Sequence, residues 1–194
     1  QFLETIKVVE KSTDLEEVSL AFESINKVRR TVSTMESLVY VRHSINTNDE
    51  FYENEQSFFD ENLPIYESYV NKLSIALVSC PLIKQLEEKY GKKLFNSVRT
   101  SLKTFKPEII EDLQEENKLV TKYDKLIASA KIEFAGKVNN LPQMTPYLSS
   151  PERSIRKDAE TAVFHFFEDH VQEFDTIYDS LVKLRDMIAK KLGF

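Results

Sequence analysis

Apolar residues recur every three or four positions over long stretches of this chain, while glycine, which interrupts helices, occurs only three times in 194 residues. Between residues 13 and 46 this spacing predicts one apolar stripe along a long helix. Thr13 and Glu16 have the spacing of a capping box, so we expect the helix to begin there. Other helices should cover the stripe, which consists of Leu15, Val18, Phe22, Ile25, Val28, Val32, Met35 and Val39.

A second capping box, from Thr47 to Glu50, precedes another apolar run that reaches Cys80. Pro64 lies inside this run. Proline cannot donate a backbone hydrogen bond, and its ring clashes with the preceding turn of a helix. We therefore expect a kink or a break near residues 62–63.

Shorter helices are predicted next. Pro81 suits the first turn of a helix that ends at Gly91, because glycine accepts the left-handed conformation common after helices. A further short helix should reach Phe105. Pro107 then opens a longer helix, because acidic residues crowd its first turn.

The helical period stops between residues 131 and 148, where Gly136 suits a turn, and a β-hairpin is predicted near residues 131–140. Residues 150–152, Ser-Pro-Glu, should start a last helix that runs to Leu192, about 60 Å at about 1.5 Å per residue. Its coiled-coil spacing is carried by Phe164, Phe167, Val171, Phe174, Tyr178 and Leu181.

These patterns predict an all-α fold, a multi-helix bundle with long, partly coiled-coil-like helices and one small hairpin. We expect residues 1–194 to form a single helical domain. The chain begins at Gln1 without an initiator methionine and ends at Phe194 directly after a helical pattern, which suggests that both ends were cut from a longer protein.

Composition excludes several function classes. The net charge of −6 and a pI near 5.3 disfavour a nucleic-acid partner, because phosphate binding requires a concentrated basic face. No apolar run approaches the roughly 20 residues that cross a bilayer, so no membrane association is expected. Cys80 is the only cysteine and lies in an apolar segment, which indicates a buried structural thiol and favours a reducing cytoplasm.

The stretch HFFEDH contains two of the three histidines, His165 and His170. On one regular helix, residues five apart point about 140° away from each other, so these imidazoles cannot hold the same zinc ion as those of H-E-x-x-H do. His165 shares a face with Glu168 and Asp169; a surface ion pair is the preferred interpretation, and a two-ligand half-site completed by a neighbouring carboxylate stays open. His43 lies near a helix end, where a C-terminal cap is its simplest role.

Other catalytic templates are missing. The chain has no G-x-S-x-G, G-x-G-x-x-G or Walker loop, and a di-iron site would require glutamate three residues before a histidine. Tyr40, Ala162 and Phe167 occupy those positions. From the residues alone we assign no catalytic, cofactor-binding or metal-binding residue, and the chain reads as a helical scaffold.

Three stretches together resemble the N-terminal part of the oligoendopeptidase F branch of thimet oligopeptidase-like zinc metallopeptidases. They are VRHSINTNDEFY at 41–52, SLKTFKPEIIEDLQEENKLVTKYDKLIASAKIEFAGK at 101–137 and FEDHVQEFDTIYDSLVKLRDMIAKKLGF at 167–194. The resemblance implies an enzyme that hydrolyses short oligopeptides with zinc held by H-E-x-x-H and a distant glutamate. That machinery lies in the family's C-terminal half, and no ligand is carried over to this sequence.

The resemblance implies that this domain forms one wall of a substrate channel, with the hairpin and exposed helix faces toward the channel. Its expected partners are a C-terminal catalytic domain of the same chain, which would bring the zinc, and short peptide substrates. Alone it should be inactive, and Met187, Ile188, Leu192 and Phe194 would have lost a partner surface. The alternative is a stand-alone helical interaction or dimerisation module without enzymatic activity.

Overall fold

The computed structural model describes residues 2–194, which form nine α-helices and one two-stranded antiparallel hairpin. The predicted all-α bundle with a small hairpin is confirmed. None of the helices in the described part of the chain is long and apolar enough to cross a membrane. In chain order the elements are α1 (Phe2–Lys11), α2 (Leu15–Ile45), α3 (Glu50–Ser79), α4 (Ile83–Tyr90), α5 (Lys92–Ser101), a 3-10 turn (Pro107–Ile109), α6 (Ile110–Ala128), β1 (Ile132–Phe134), β2 (Lys137–Asn139), α7 (Leu141–Leu148), α8 (Arg153–Asp169) and α9 (Val171–Leu192).

The first hydrophobic core joins α1, the first half of α2, the second half of α3, and α4 and α5. Phe95 and Leu86 are fully buried in it. The sequence patterns assigned no element to residues 1–12, yet α1 contributes Ile6 and Val9 to this core. Cys80 is buried in the same core, as predicted.

The two long helices start one or two residues later than their predicted capping boxes. Asp14 caps α2, accepting hydrogen bonds from the amides of Glu16 and Glu17, and Asp49 caps α3 in the same way. The predicted caps, Thr13 and Thr47, are therefore wrong. A carboxylate directly before the first helical residue satisfies free N–H groups and also carries the negative charge that a helix N-terminus favours.

A kink or a break was expected near residues 62–63, but helix α3 continues through Pro64, so the chain does not break there. Proline leaves the carbonyl four residues earlier, that of Asp60, without its helical donor. Asn117 of α6 donates its side-chain amide to this carbonyl at 3.2 Å, and Gln114 donates to the next carbonyl, that of Glu61, at 2.6 Å. The neighbouring helix thus satisfies carbonyls around the proline, which sequence periodicity could not foresee.

Several helix ends differ from the predictions made for residues 81–148. Helix α4 begins at Ile83, after Pro81, and ends before Gly91, which has a φ of 91°. Helix α5 ends at Ser101, four residues before Phe105.

Residues 141–148, predicted to be non-helical, form α7. Asn140 accepts from the amide of Gln143 while the Gln143 side chain accepts from the Asn140 amide, a capping box that sequence inspection overlooked. Pro142 lies in the first turn of α7, where its missing N–H costs little.

The hairpin pairs Ile132 with Asn139 and turns through Ala135 and Gly136, which both have positive φ. A two-residue turn of this kind matches the right-handed twist of the strands. The hairpin packs against α8, and together with α7 they form a second core around Ala130, Ile132, Met144, Ala159 and Phe166.

The predicted last helix is two helices, because the chain leaves helical geometry at His170 (φ −112°, ψ 10°). The coiled-coil seam predicted for this helix is wrong as well. Phe164 is 58% exposed, Tyr178 is 71% exposed and Val171 is also exposed, whereas Phe166, Ile177 and Leu184 are buried. A change of direction at residue 170 moves the buried face of α9 toward α6, so one periodic stripe cannot serve both helices.

Candidate functional site

The two histidines of HFFEDH make local contacts. Nδ1 of His165 lies 3.1 Å from Oε2 of Glu168, the surface pairing expected from their spacing. His170 is the residue at which α8 ends, and its Nδ1 donates to the Phe166 carbonyl at 2.8 Å. The two histidines therefore do not lie on one continuous helix, and the angle of about 140° predicted between them does not apply. Both histidines, with Asp169 and Glu133, line a surface cavity of about 440 Å³.

The family resemblance raises the question whether this chain could hold a zinc ion. Within residues 2–194, no group of three His, Cys, Asp or Glu side chains is placed to hold a metal ion. Zinc sites in hydrolases use three protein ligands and a water. The donors described here do not fit such a site, and the absence of site residues from the chain remains a prediction.

The structure corrects the role of His43. Its side chain is 4% exposed and its Nε2 lies 2.8 Å from Oε2 of Glu53, whereas Asn46 takes the C-cap position of α2. Lys125 of α6 binds the other oxygen of Glu53. Burial acts to raise the pKa of Glu53, but hydrogen bonds from Lys125 and His43 outweigh it and lower the pKa below its ordinary value. This cluster joins α2, α3 and α6.

A second polar contact between α3 and α6 centres on Asp60, which is buried. Its Oδ1 accepts from Nε2 of Gln56 at 2.9 Å, and its Oδ2 accepts from the hydroxyl of Thr121 at 2.7 Å. Thr121 and Asn117 of α6 donate to the side chain and the backbone carbonyl of Asp60, and these two bonds hold α6 at a fixed register on α3. These contacts leave the surface above them open toward α2.

That surface is a groove between α2 and α3, which continues over α6. It consists of a first chamber of about 860 Å³ between α2 and α3 and a second of about 670 Å³ at α2, α3 and α6. Ser33, Glu36 and Leu63 line both chambers, so they form one connected depression. We call it the interhelical groove.

Unpaired acids line the interhelical groove. Burial raises the pKa of the half-buried Glu36. Glu67 is exposed overall, but partial loss of solvent around its carboxyl group and the charge of Glu36 raise its pKa. In the second chamber, burial and the Asp60 charge raise the pKa of Asp124, although the nearby His43 opposes them. Among residues 2–194, neither Glu36, Glu67 nor Asp124 has an ion-pair partner. The carboxyl groups of Glu36, Glu67 and Asp124 therefore line the groove without a direct ion pair, although Arg29 and Arg30 lie in the wall of the first chamber.

Two polar atoms in the groove walls also lack partners. The hydroxyl of Tyr66 in the first chamber and Oε1 of Gln56 in the second are buried and make no hydrogen bond. Buried polar atoms are nearly always paired in folded proteins, so an unpaired one next to a cavity requires an explanation. The Gln56 oxygen can only accept, which makes a donor its natural complement.

The sequence patterns did not predict this groove, although its lining residues have a helical period. On α2 the groove is lined by Asn26, Arg29, Ser33, Glu36 and Tyr40, spaced by three and four. On α3 the same spacing relates Gln56, Asp60, Leu63, Glu67 and Val70. A mostly polar stripe with helical period, next to an apolar one, marks a helix face that is semi-exposed.

A sequence model of the family described as Peptidase M3 N-terminal domain matches residues 1–105, more than half of the chain. The chain belongs to the peptidase M3 N-terminal domain family. Comparison with curated proteins finds no match.

Solved structures similar to this M3 N-terminal domain extend the match to the whole chain. PZ peptidase A, solved with an inhibitor, is 50% identical with a TM-score of 0.95. A chain provisionally described as oligoendopeptidase F is 47% identical with a TM-score of 0.96, and another, from Bacillus anthracis strain Ames, is 44% identical with a TM-score of 0.96. All three cover 100% of the present chain, which spans only 34%, 34% and 36% of theirs.

The predicted resemblance to oligoendopeptidase F is thereby confirmed. Two of its three sequence stretches, at 101–137 and 167–194, lie wholly or largely beyond the residues that the family model matches, but the structural matches include them. The M3 N-terminal domain thus has the helical architecture that the resemblance implied, as part of longer peptidase chains in its relatives.

Proposed function

We propose that this chain is the N-terminal helical part of a cytoplasmic zinc metalloendopeptidase that hydrolyses short oligopeptides, where it forms one wall of the substrate channel. One observation carries the proposal: all 194 residues match PZ peptidase A at 50% identity with a TM-score of 0.95. Identity at that level over a whole fold supports a shared role within the longer enzyme, beyond a shared architecture.

Zinc chemistry belongs, in this proposal, to residues outside the chain. The side chains of residues 2–194 supply no group of three metal donors, as described above. We therefore assign the zinc ligands and the general base to a C-terminal catalytic domain of the same polypeptide. The present residues would shape the cavity, exclude folded proteins and position the peptide.

Exposed apolar side chains support a partner of this kind. Met187 and Phe194 are exposed at the end of the chain, and Phe164, Val171 and Tyr178 are exposed on α8 and α9. Ile188 and Leu192, which were also expected to lack a partner, are half-buried. Clusters of exposed apolar residues mark interaction surfaces, and a catalytic domain that packs on α8 and α9 would cover these side chains.

The decisive experiment sequences the coding DNA downstream of Phe194, expresses the whole reading frame and assays a short fluorogenic peptide with and without a chelator. We expect an H-E-x-x-H motif and cleavage that the chelator abolishes. The 194-residue chain alone should cleave nothing and bind no stoichiometric zinc. One tightly held zinc per 194-residue chain would overturn the assignment.

The hairpin offers a test of the channel-wall role. Glu133 and Lys137 are exposed on it. In the longer enzyme, Glu133→Lys and Lys137→Glu should change the relative rates for charged peptides while the zinc content stays constant. Equal changes in peptide preference and zinc content would argue against a wall.

A stand-alone interaction module is the second candidate, and the exposed apolar residues of α8 and α9 are the observation that favours it. It predicts a reading frame without a zinc motif and a chain that dimerises. Light scattering of the 194-residue chain, compared with a Phe164→Ser/Tyr178→Ser variant, would separate a dimer on this face from a monomer.

A further inference from the structure

The walls of the interhelical groove carry charged groups that the packing of the helices does not explain. Its walls carry five carboxylates, Glu23, Glu36, Asp60, Glu67 and Asp124, against two guanidinium groups, Arg29 and Arg30. Among these groups, Asp60 is satisfied by Gln56 and Thr121. Glu36 of α2 and Glu67 of α3 both line the first chamber, and the charge of Glu36 raises the pKa of Glu67.

The unpaired atoms in both chambers are hydrogen-bond acceptors, so both chambers suit a ligand with hydrogen-bond donors. Carboxylates accept hydrogen bonds, and so does Oε1 of Gln56, which has no donor in the structure. The Tyr66 hydroxyl can accept as well. A ligand that brings N–H donors and positive charge would donate to each of these acceptor atoms, and guanidinium and ammonium groups are the side chains that do so.

Apolar residues between the acids restrict the ligand further. Val32, Leu63 and Val70 line the first chamber, while Phe59 and Val120 line the second. A bare cation would not use these surfaces, and no group of three donors for a metal ion exists in the described residues. A second copy of this acidic chain is disfavoured because its net charge is −6. A peptide with basic and apolar side chains matches both kinds of surface.

We propose that the interhelical groove binds a peptide segment carrying arginine or lysine side chains, with one cationic group between Glu36 and Glu67 and another beside Asp124. The peptide-handling role proposed above provides the biological setting for this inference. The groove would then select basic peptides by charge.

The experiment measures binding to the intact 194-residue chain and needs no hydrolysis. Fluorescein-labelled alanine peptides that carry two arginines, separated by one to four alanines, are titrated with the chain and followed by anisotropy. The same peptides with glutamine in place of arginine serve as the neutral probes. We expect the best arginine peptide to bind about tenfold or more tightly than its glutamine counterpart, and salt to reduce the difference.

Variants locate the binding. Glu36→Gln/Glu67→Gln should weaken binding of the arginine peptide about tenfold and leave binding of the glutamine peptide unchanged. Asp124→Asn alone should weaken binding of the arginine peptide several-fold. The control is Glu160→Gln/Glu173→Gln, which removes the same charge from exposed positions of α8 and α9. Circular dichroism checks that each variant is folded, and Asp124→Asn provides an independent test if the double variant is not.

Three results would overturn the proposal: equal binding of arginine and glutamine peptides, no effect of the groove variants, or an equal loss in the control, which would indicate net charge alone. Dimerisation that the groove variants abolish would assign the groove to a second copy instead. If the groove does not bind basic peptides, the zinc-peptidase proposal still stands, because it depends on the downstream sequence and on cleavage. If the zinc-peptidase proposal fails, the binding result for the groove is unaffected.

Discussion

Replacing Glu53 with alanine is the perturbation whose cost the structure specifies most closely. Glu53 is the common partner of a buried histidine, His43, and a half-exposed lysine, Lys125. The Glu53→Ala variant loses both contacts, whereas Lys125→Ala loses only one. The comparison separates the cost of stranding a buried group from that of breaking a surface ion pair.

The expected magnitudes differ because the two partners differ in exposure. The His43 side chain is 4% exposed, so the loss of its acceptor leaves a buried ring nitrogen unpaired, which costs about 1–3 kcal/mol. Lys125 is 38% exposed and remains hydrated, so its ion pair contributes only about 0–1 kcal/mol. Together the two losses should reduce the free energy of unfolding of Glu53→Ala by about 1–4 kcal/mol, whereas Lys125→Ala should reduce it by less than about 1 kcal/mol.

Urea unfolding followed by circular dichroism measures both values, and for a chain of this length each 1 kcal/mol corresponds to about 2–4 °C in Tm. A His43→Leu/Glu53→Ala variant provides the matched control, because it removes the stranded polar group and should recover part of the loss. If Glu53→Ala costs no more than Lys125→Ala, the buried histidine is not the source of the stabilisation and the reasoning fails.

The pH dependence provides an independent check with a definite sign. The folded state lowers the pKa of Glu53 below its ordinary value, so the unfolded state takes up the proton first as the pH falls. The stabilisation by Glu53 is therefore complete at neutral pH and is lost during acidification through the lowered folded value. The gap between the native chain and Glu53→Ala should narrow in acid; a gap that widens would contradict the assignment.

Two further predictions concern local structure. Asp14→Ala should reduce the free energy of unfolding by about 1 kcal/mol in a urea titration, because two amides of α2 lose their cap, whereas Thr13→Ala should change it by less than about 0.5 kcal/mol; equal effects would restore Thr13 as the cap. Asn139→Ala should speed amide hydrogen exchange in β1 and β2, because the buried Asn139 amide donates to the carbonyls of Phe134 and Lys137 at 3.1 Å; unchanged exchange would show that strand pairing alone holds the hairpin.

Sequence reasoning succeeded where a signal is local. The three-four spacing of apolar residues predicted helical runs at 13–46 and from residue 50 to Cys80, where the structure has α2 and α3, and the loss of that period with Gly136 at the turn predicted the hairpin. A helix and a two-residue turn are both decided by neighbours within about four residues, which is the range that a pattern samples.

It failed where the outcome depends on a distant segment. The stripe of α2 was expected to be covered throughout, but Val28 is 45% exposed and Met35 is also exposed, because no described element packs over them. The residues around Pro64 stay helical while α6, more than fifty residues away, supplies a donor to the freed carbonyl of Asp60 and another to the neighbouring carbonyl of Glu61. Nothing within one helical turn of these positions carries that information.

For the candidate site too, some features could be predicted from the sequence and others required the packing of the helices. That the chain lacks a nucleophile motif and a zinc motif, and that it resembles oligoendopeptidase F, could be read from residue identities alone. The pairing of His43 with Glu53, and the meeting of Glu36 and Glu67 across a groove, required the packing of α2 against α3, because the burial and mutual repulsion of side chains exist only once separate helices lie side by side.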